Sequence, residues 1–175
     1  AAAAAAAGPA LAAADPIAGL TVINALGGLD DPNFPDAPIA NMTPRILEDA
    51  HASGTTAVNV TVGFVAGDRE PFQQTVAEVA KWDAMIRAHP RDLIKVLSTA
   101  DIARAKAEKK IGLIYGFQNA AMMGDDAGRV DTFADMGVRV IQLTYNNANP
   151  LGDGSMAPQG RGLTAFGREV VDRLN

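Results

Sequence analysis

The chain has 175 residues, 48% of them apolar and 20% charged, with no cysteine. That is the length of one ordinary domain with enough apolar content for a core. Fifteen Lys and Arg against 20 Asp and Glu leave a net charge of −5, which excludes the basic footprint that nucleic acid or an anionic membrane surface requires. The lack of cysteine excludes disulfide frameworks, thiolate metal sites and thiol nucleophiles. Two histidines, His51 and His89, leave little for a histidine-rich metal centre.

Residues 1–14 read AAAAAAAGPALAAA. Side chains this small bury little surface, so the tract is set apart as a low-complexity tail, with the folded part running from 15 to 175. Ala12-x-Ala14 before Asp15 has the form of a signal-peptidase site, which predicts export to the periplasm or the exterior; a plain tail is the alternative. No later stretch reaches the ~18–20 apolar residues that cross a bilayer.

The elements then alternate. Thr21–Leu26 reads as a short strand broken at Gly27-Gly28, and Pro32, Pro35 and Pro38 make 29–42 a loop. Thr43-Pro44 opens a helix that Gly54 closes. Ala57–Gly63 is a β-branched strand. The helix from Pro71 to about His89 has Phe72, Val76, Val79 and Ile86 on one face, with Trp82 in the core, and Pro90 ends it. Ser98 and Asp101 form a capping box for a helix reaching about Lys109. Ile111–Phe117 is the third strand. Val130, Phe133 and Ala134 mark a helix stopped by Gly137, and Val138–Tyr145 is the fourth strand. After a loop over 146–163, Thr164 caps a last helix with Phe166, Val170, Val171 and Leu174 inward.

Four β/α units imply right-handed crossovers and a parallel sheet, either an open doubly wound sheet or a (β/α)8 barrel. Neither a G-x-G-x-x-G nor a phosphate-binding G-x-x-x-x-G-K-[ST] is present. In both architectures ligands bind at the carboxyl ends of the strands, here just after Leu26, Gly63, Phe117 and Tyr145. Asn24, Gln118, Asn119, Tyr145 and Asn146 gather there, which predicts a neutral, hydrogen-bonding pocket. Asp153, within Gly152-Asp153-Gly154, reads equally as a turn or as a substrate-side residue. Asp125-Asp126 reads as an N-cap before it reads as an acid/base pair. His51 and His89 read as helix-end surface residues.

The segment Gly137-Val138-Arg139-Val140-Ile141-Gln142-Leu143-Thr144-Tyr145-Asn146, then Asn149, then Gly162-Leu163-Thr164-x-Phe166-Gly167-Arg168-Glu169-Val170-Val171 resembles the membrane (renal) dipeptidase family. Its members carry G-V-R-x-x-x-L-T-H-N and G-L-T-x-F-G-x-x-V-V in this order. Val22-Ile23-Asn24 and Leu97–Ile102 fall where the family has related stretches. The resemblance implies a (β/α)8 TIM barrel of the metal-dependent hydrolase type, and hydrolysis of a dipeptide or small amide with two bridged zinc ions. It also implies that the family's metal ligands fall on Leu26, Gly28 and Gln118, and its substrate-facing histidine on Tyr145. Leu26 and Gly28 cannot ligate through a side chain, and Gln118 offers only a neutral oxygen, so one zinc ion or none is expected from these residues. On this reading Tyr145 and Gln118 are the catalytic candidates, and Asn24, Asn119, Asn146 and Asp153 contact a small peptide or amide substrate. The alternative is an inactive, ligand-binding barrel of the same family. The family often forms dimers, which makes a homodimer the expected assembly.

The resemblance revises the single-domain reading. A barrel needs eight units and about 250 residues, so four units over 15–175 read as its first half, with the missing half of the barrel as a partner.

Overall fold

The computed structural model describes residues 16–17, 19–31, 42–158 and 160–175. The alanine-rich tail, its cleavage-like site and most of the proline loop lie outside the described residues.

Eleven elements follow one another: β1 (Ile23–Gly27), α1 (Pro44–Ala52), β2 (Ala57–Thr61), α2 (Pro71–Ala88), β3 (Leu93–Lys95), α3 (Thr99–Ala107), β4 (Ile111–Phe117), a 3₁₀ turn (Ala121–Met123), α4 (Arg129–Asp135), β5 (Val138–Ile141) and α5 (Ala165–Leu174). All strand pairs are parallel. The fold is α/β, as the alternation of elements predicts.

The helix starts follow their caps. The Thr43 side chain accepts from the Ile46 N–H at 3.3 Å and that of Thr164 from the Gly167 N–H at 2.8 Å. Ser98 and Asp101 complete the capping box of α3. At the end of α4, Gly137 takes φ +93°, a conformation that costs other residues about 1 kcal/mol or more.

The sheet has five strands where the sequence pattern gives four. The addition is β3, three residues long, too short to show a period of its own. One edge of β4 pairs with β2 from Gly112 to Gly116. The opposite edge is shared: β3 pairs with Ile111–Leu113, and β5 with Tyr115–Phe117. β5 leaves the ladder after Ile141 rather than running to Tyr145, so Tyr145 stands in a loop. β1 includes Gly27, which reads as a breaker; a register shift between Asn24 and Gly27 accommodates it.

The two faces of the sheet differ. Val58, Val60, Leu113, Tyr115 and Phe117 form the outer face and join Val79, Trp82 and Met85 of α2 and Phe133 of α4 in one core. Phe133 stands edge-on to Phe117, ring centres 5.0 Å apart. The Tyr115 hydroxyl donates to Asp83 of α2 at 2.8 Å, and Lys95 of β3 pairs with the same carboxylate at 2.8 Å. The inner face carries Ala57, Asn59 and Thr61 opposite Gly112, Ile114 and Gly116. Toward the strand starts, a Cβ at Gly112 would lie 2.9 Å from Val96 Cγ2 and 3.2 Å from the Ala57 Cβ, so the neighbours would have to shift to admit one. Further up, Asn59, Thr61 and Ile114 are half-buried. The edge strands expose apolar side chains: Ile23 and Leu26 on β1 at 47% and 55%, and Val140 on β5 at 42%.

Candidate functional site

The loops after β2, β4 and β5 are tied together by two asparagines and a threonine. Thr75, fully buried in the second turn of α2, accepts from the Phe64 N–H at 3.1 Å and donates to the Pro71 carbonyl at 2.7 Å. That fixes the loop after β2. Asn119 donates to the Val65 carbonyl at 2.8 Å, and its oxygen accepts from the Ala121 N–H at 3.0 Å and from Asn149 Nδ2 at 2.8 Å. Asn149 also donates to the Leu143 carbonyl at 2.7 Å and accepts from the Leu151 and Gly152 N–H groups at 2.8 and 3.3 Å. An amide side chain has two N–H donors and two acceptor positions, and Asn149 uses them all.

Between these loops lies a cleft of about 320 Å³ whose walls include Phe64, Val65, Asn119, Tyr145, Asn146 and Asn149. No acidic, basic or histidine side chain is among its described walls, in keeping with a neutral, hydrogen-bonding pocket. Tyr145 is half-buried there, and its hydroxyl has no partner among the described residues. Its backbone carbonyl accepts from the Ser155 N–H at 2.8 Å, while the Ser155 hydroxyl donates to Asn146 Oδ1 at 3.2 Å. Asp153 sits outside this cleft. Both its oxygens face Arg161, at 3.1 Å from Nη2 and 2.7 Å from the backbone N–H. Those bonds, the guanidinium's first, hold its carboxyl below the usual carboxylate range.

The structure brings Asn119, Tyr145 and Asn146 together and leaves the other candidates apart. Gln118 follows Phe117 directly, so by strand alternation it continues the inner-face row of Gly112, Ile114 and Gly116. It is half-buried and has no side-chain partner among the described residues. Asn24 is in register with Val58, which turns it toward the outer face of β1, where its oxygen accepts from the Leu26 N–H at 3.2 Å. Leu26 is exposed, and Gly28 follows the strand's end.

The two histidines lie at helix ends, as expected, whereas the Asp125-Asp126 pair is not the N-cap expected of it. His51, in the last turn of α1, faces Asp92 at 3.7 Å, and His89 caps the end of α2. In a β/α fold, helix ends lie opposite the strand ends, far from the cleft. Gly128 occupies the cap position of α4 instead of Asp125 or Asp126; Asp126 Oδ1 accepts the Gly128 N–H at 2.8 Å, three residues before the helix begins at Arg129. Among the described residues no three His, Asp or Glu side chains gather in a way that could hold a metal ion.

The sequence profile described as membrane dipeptidase (peptidase family M19) matches residues 32–175. The chain belongs to the membrane dipeptidase family. Among solved structures, an amidohydrolase from Pseudomonas aeruginosa is 36% identical over 88% of this chain, with a TM-score of 0.73. The probable dipeptidase PvdM from the same organism is 20% identical over 87% of the chain, TM-score 0.68. A metallo peptidase from Rhodobacter sphaeroides, liganded with a phosphinate mimic of the dipeptide L-Ala-D-Ala, is 14% identical over 88%, TM-score 0.67. The chain spans 43%, 44% and 56% of the length of these three structures.

These membrane dipeptidase relatives are TIM barrels, and the five-stranded sheet is the corresponding part of one. Sequence reasoning missed the residues that build the cleft's frame. Thr75 carries no mark of its own in the sequence, and Asn149 stands out only as part of a motif. Thr75 acts through the backbone of the loop after β2 and Asn149 through the Asn119 side chain of the loop after β4, partners that no local spacing reveals. No helix among the described residues is long and apolar enough to cross a membrane.

Proposed function

We propose that the protein is a dipeptidase-like hydrolase that cleaves a dipeptide or small amide at the carboxyl ends of its strands. The observation that carries this is the position of a neutral, hydrogen-bonding cleft at those strand ends in a membrane dipeptidase chain. Hydrolysis breaks the C–N bond, placing the water's oxygen on the carbonyl carbon and a proton on the departing amine. Tyr145 donates its hydroxyl hydrogen to a substrate oxygen as charge develops there. Gln118, on the inner face of the strand ends and outside the walls of the cleft, is left without a part in this contact. Asn119 and Asn146 shape the cleft wall.

The two-zinc centre that the family resemblance brings does not fit these residues. Such a centre needs anionic and imidazole ligands. Leu26 and Gly28 supply neither, and Gln118 gives a neutral oxygen, so no step is routed through a metal here. This misfit favours a second reading, a catalytically inactive barrel that binds the same class of ligand. The two separate in an assay of dipeptide turnover by purified full-length protein, with Tyr145→Phe beside it. The hydrolase reading expects turnover that falls about a hundredfold on loss of one transition-state donor. Absence of turnover, with and without added zinc, overturns it. The alanine-rich N-terminal tract supports an exported location. The open edges with exposed Ile23, Leu26 and Val140 support a first-half barrel completed by further β/α units.

A further inference from the structure

A second hollow, of about 560 Å³, has a cationic wall. Thr56, just before β2, and Lys109 and Lys110, just before β4, line it together with His51 of α1 and Lys106 of α3. It therefore lies at the amino ends of the strands, opposite the neutral cleft. No Asp or Glu is among its described walls, although the chain carries 20 acidic residues against 15 Lys and Arg.

Two of these cations keep their charge uncompensated. Asp92 faces His51 at 3.7 Å and Glu108 faces Lys110 at 2.7 Å, each from outside the wall. Lys106 instead spends its donors on neutral oxygens, the Gly19 carbonyl and the Thr21 hydroxyl. The Lys109 ammonium has no partner among the described residues.

Lys109 is also strained. Its φ of +54° makes it the only left-handed non-glycine residue among those described. It follows the C-cap Glu108 of α3, where its N–H reaches the Lys106 carbonyl at 3.2 Å and that of Lys110 the Ala105 carbonyl at 2.8 Å. Glycine usually fills this position, because a side chain there crowds the backbone. The helix dipole favours cations in the last turn, but these last carbonyls already receive backbone N–H groups and need no ammonium. Strain of this kind gathers at ligand sites, and here it carries an unpaired charge into the hollow. Thr56, 6% exposed, adds a buried donor. Its Oγ1 accepts from the Val22 N–H at 3.1 Å, and its hydroxyl hydrogen has no acceptor among the described residues. Buried donors ordinarily have one.

We propose that this hollow binds the phosphate group of a small phosphate ester, held by the Lys106 and Lys109 ammoniums and the Thr56 hydroxyl. Lysine meets phosphate as a point charge, and two ammoniums match its nearly double negative charge. Leu20, 58% exposed in the same wall, offers an apolar surface to the organic part of the ester, which favours an ester over free phosphate. The site is local, so it needs none of the extended basic footprint of a nucleic-acid or membrane surface. It is independent of the hydrolase reading.

The test titrates full-length protein calorimetrically with butyl phosphate, with inorganic phosphate and with vesicles containing phosphatidate, at an ionic strength held constant with chloride. Wild type is compared with Lys109→Gly and Lys106→Gln. Wild type is expected to bind butyl phosphate saturably and more tightly than inorganic phosphate. Each variant weakens that binding about tenfold, as loss of one charge-assisted contact should. Lys109→Gly also raises the thermal midpoint of the unliganded protein, because glycine relieves the backbone. A higher midpoint with unchanged binding would make Lys109 a helix-end residue only and overturn the inference. So would the absence of saturable binding, binding of phosphate without the ester, or binding confined to the vesicles.

Discussion

Asn149→Ala removes the side chain that clasps its own loop to the one after β4, and its cost can be worked from the contacts. The amide loses donations to Asn119 Oδ1 at 2.8 Å and to the Leu143 carbonyl at 2.7 Å, and acceptance from the Leu151 and Gly152 N–H groups. The Gly152 N–H keeps a contact with the Asn149 backbone carbonyl at 3.2 Å. The Leu151 N–H keeps nothing, and Leu151 is fully buried. A net hydrogen bond is worth about 1 kcal/mol, and a stranded buried donor costs about 1–3 kcal/mol. With solvent able to reach part of the half-buried amide, the sum is about 2–4 kcal/mol. Urea unfolding of the full-length protein reads this as a lower midpoint at constant slope. Amide exchange at Leu151 should lose protection first, because the clasp opens locally. A loss below about 1 kcal/mol with Leu151 still protected would refute the clasp.

Other perturbations follow from the same geometry. At Gly167, a Cβ would press into the Leu151 carbonyl oxygen, a backbone atom that cannot swing aside; Gly167→Ala should destabilise by about 1–3 kcal/mol, read from the thermal midpoint. Burial first, and then the bond to Asp83, push the Tyr115 hydroxyl well above its ordinary range. Its contribution is therefore complete below the unfolded value of about 10 and is lost as pH rises further, so Tyr115→Phe should flatten the alkaline fall in stability. Bonds from the Leu97 and Ser98 N–H groups hold the Asp101 carboxyl below its ordinary range. That contribution is present above about pH 4 and lost as pH falls through the lowered value; Asp101→Asn should remove this part of the acid sensitivity, measured as unfolding midpoint against pH.

What the sequence makes legible depends on how local the cause is. The caps at Thr43, Ser98 and Thr164 and the bounds of β4 are set by neighbouring residues, and they stand as read. β3 is invisible because three residues gain their strand character from the free half-edge of β4. The candidate site is legible in part for the same reason. Asn119, Tyr145 and Asn146 share one cleft because their loops meet over the strand ends. Gln118 and Asn24 differ because strand alternation and register decide which face a residue takes. Adjacent residues such as Gln118 and Asn119 thus part company, although they stand side by side in the chain. The clasp of Asn149 and the clamp of Asp153 on Arg161 join positions 30 and 8 residues apart, and only the folded loops bring them together.

On the proposed function, a dipeptidase-like hydrolase works without the family's full first-half ligand set. Zinc per chain and dipeptide turnover, measured on one sample of full-length protein, test it most directly. Turnover with at most one zinc per chain is the expected result. Two zinc ions per chain with turnover abolished by a chelator, or no turnover at any zinc content, would contradict it.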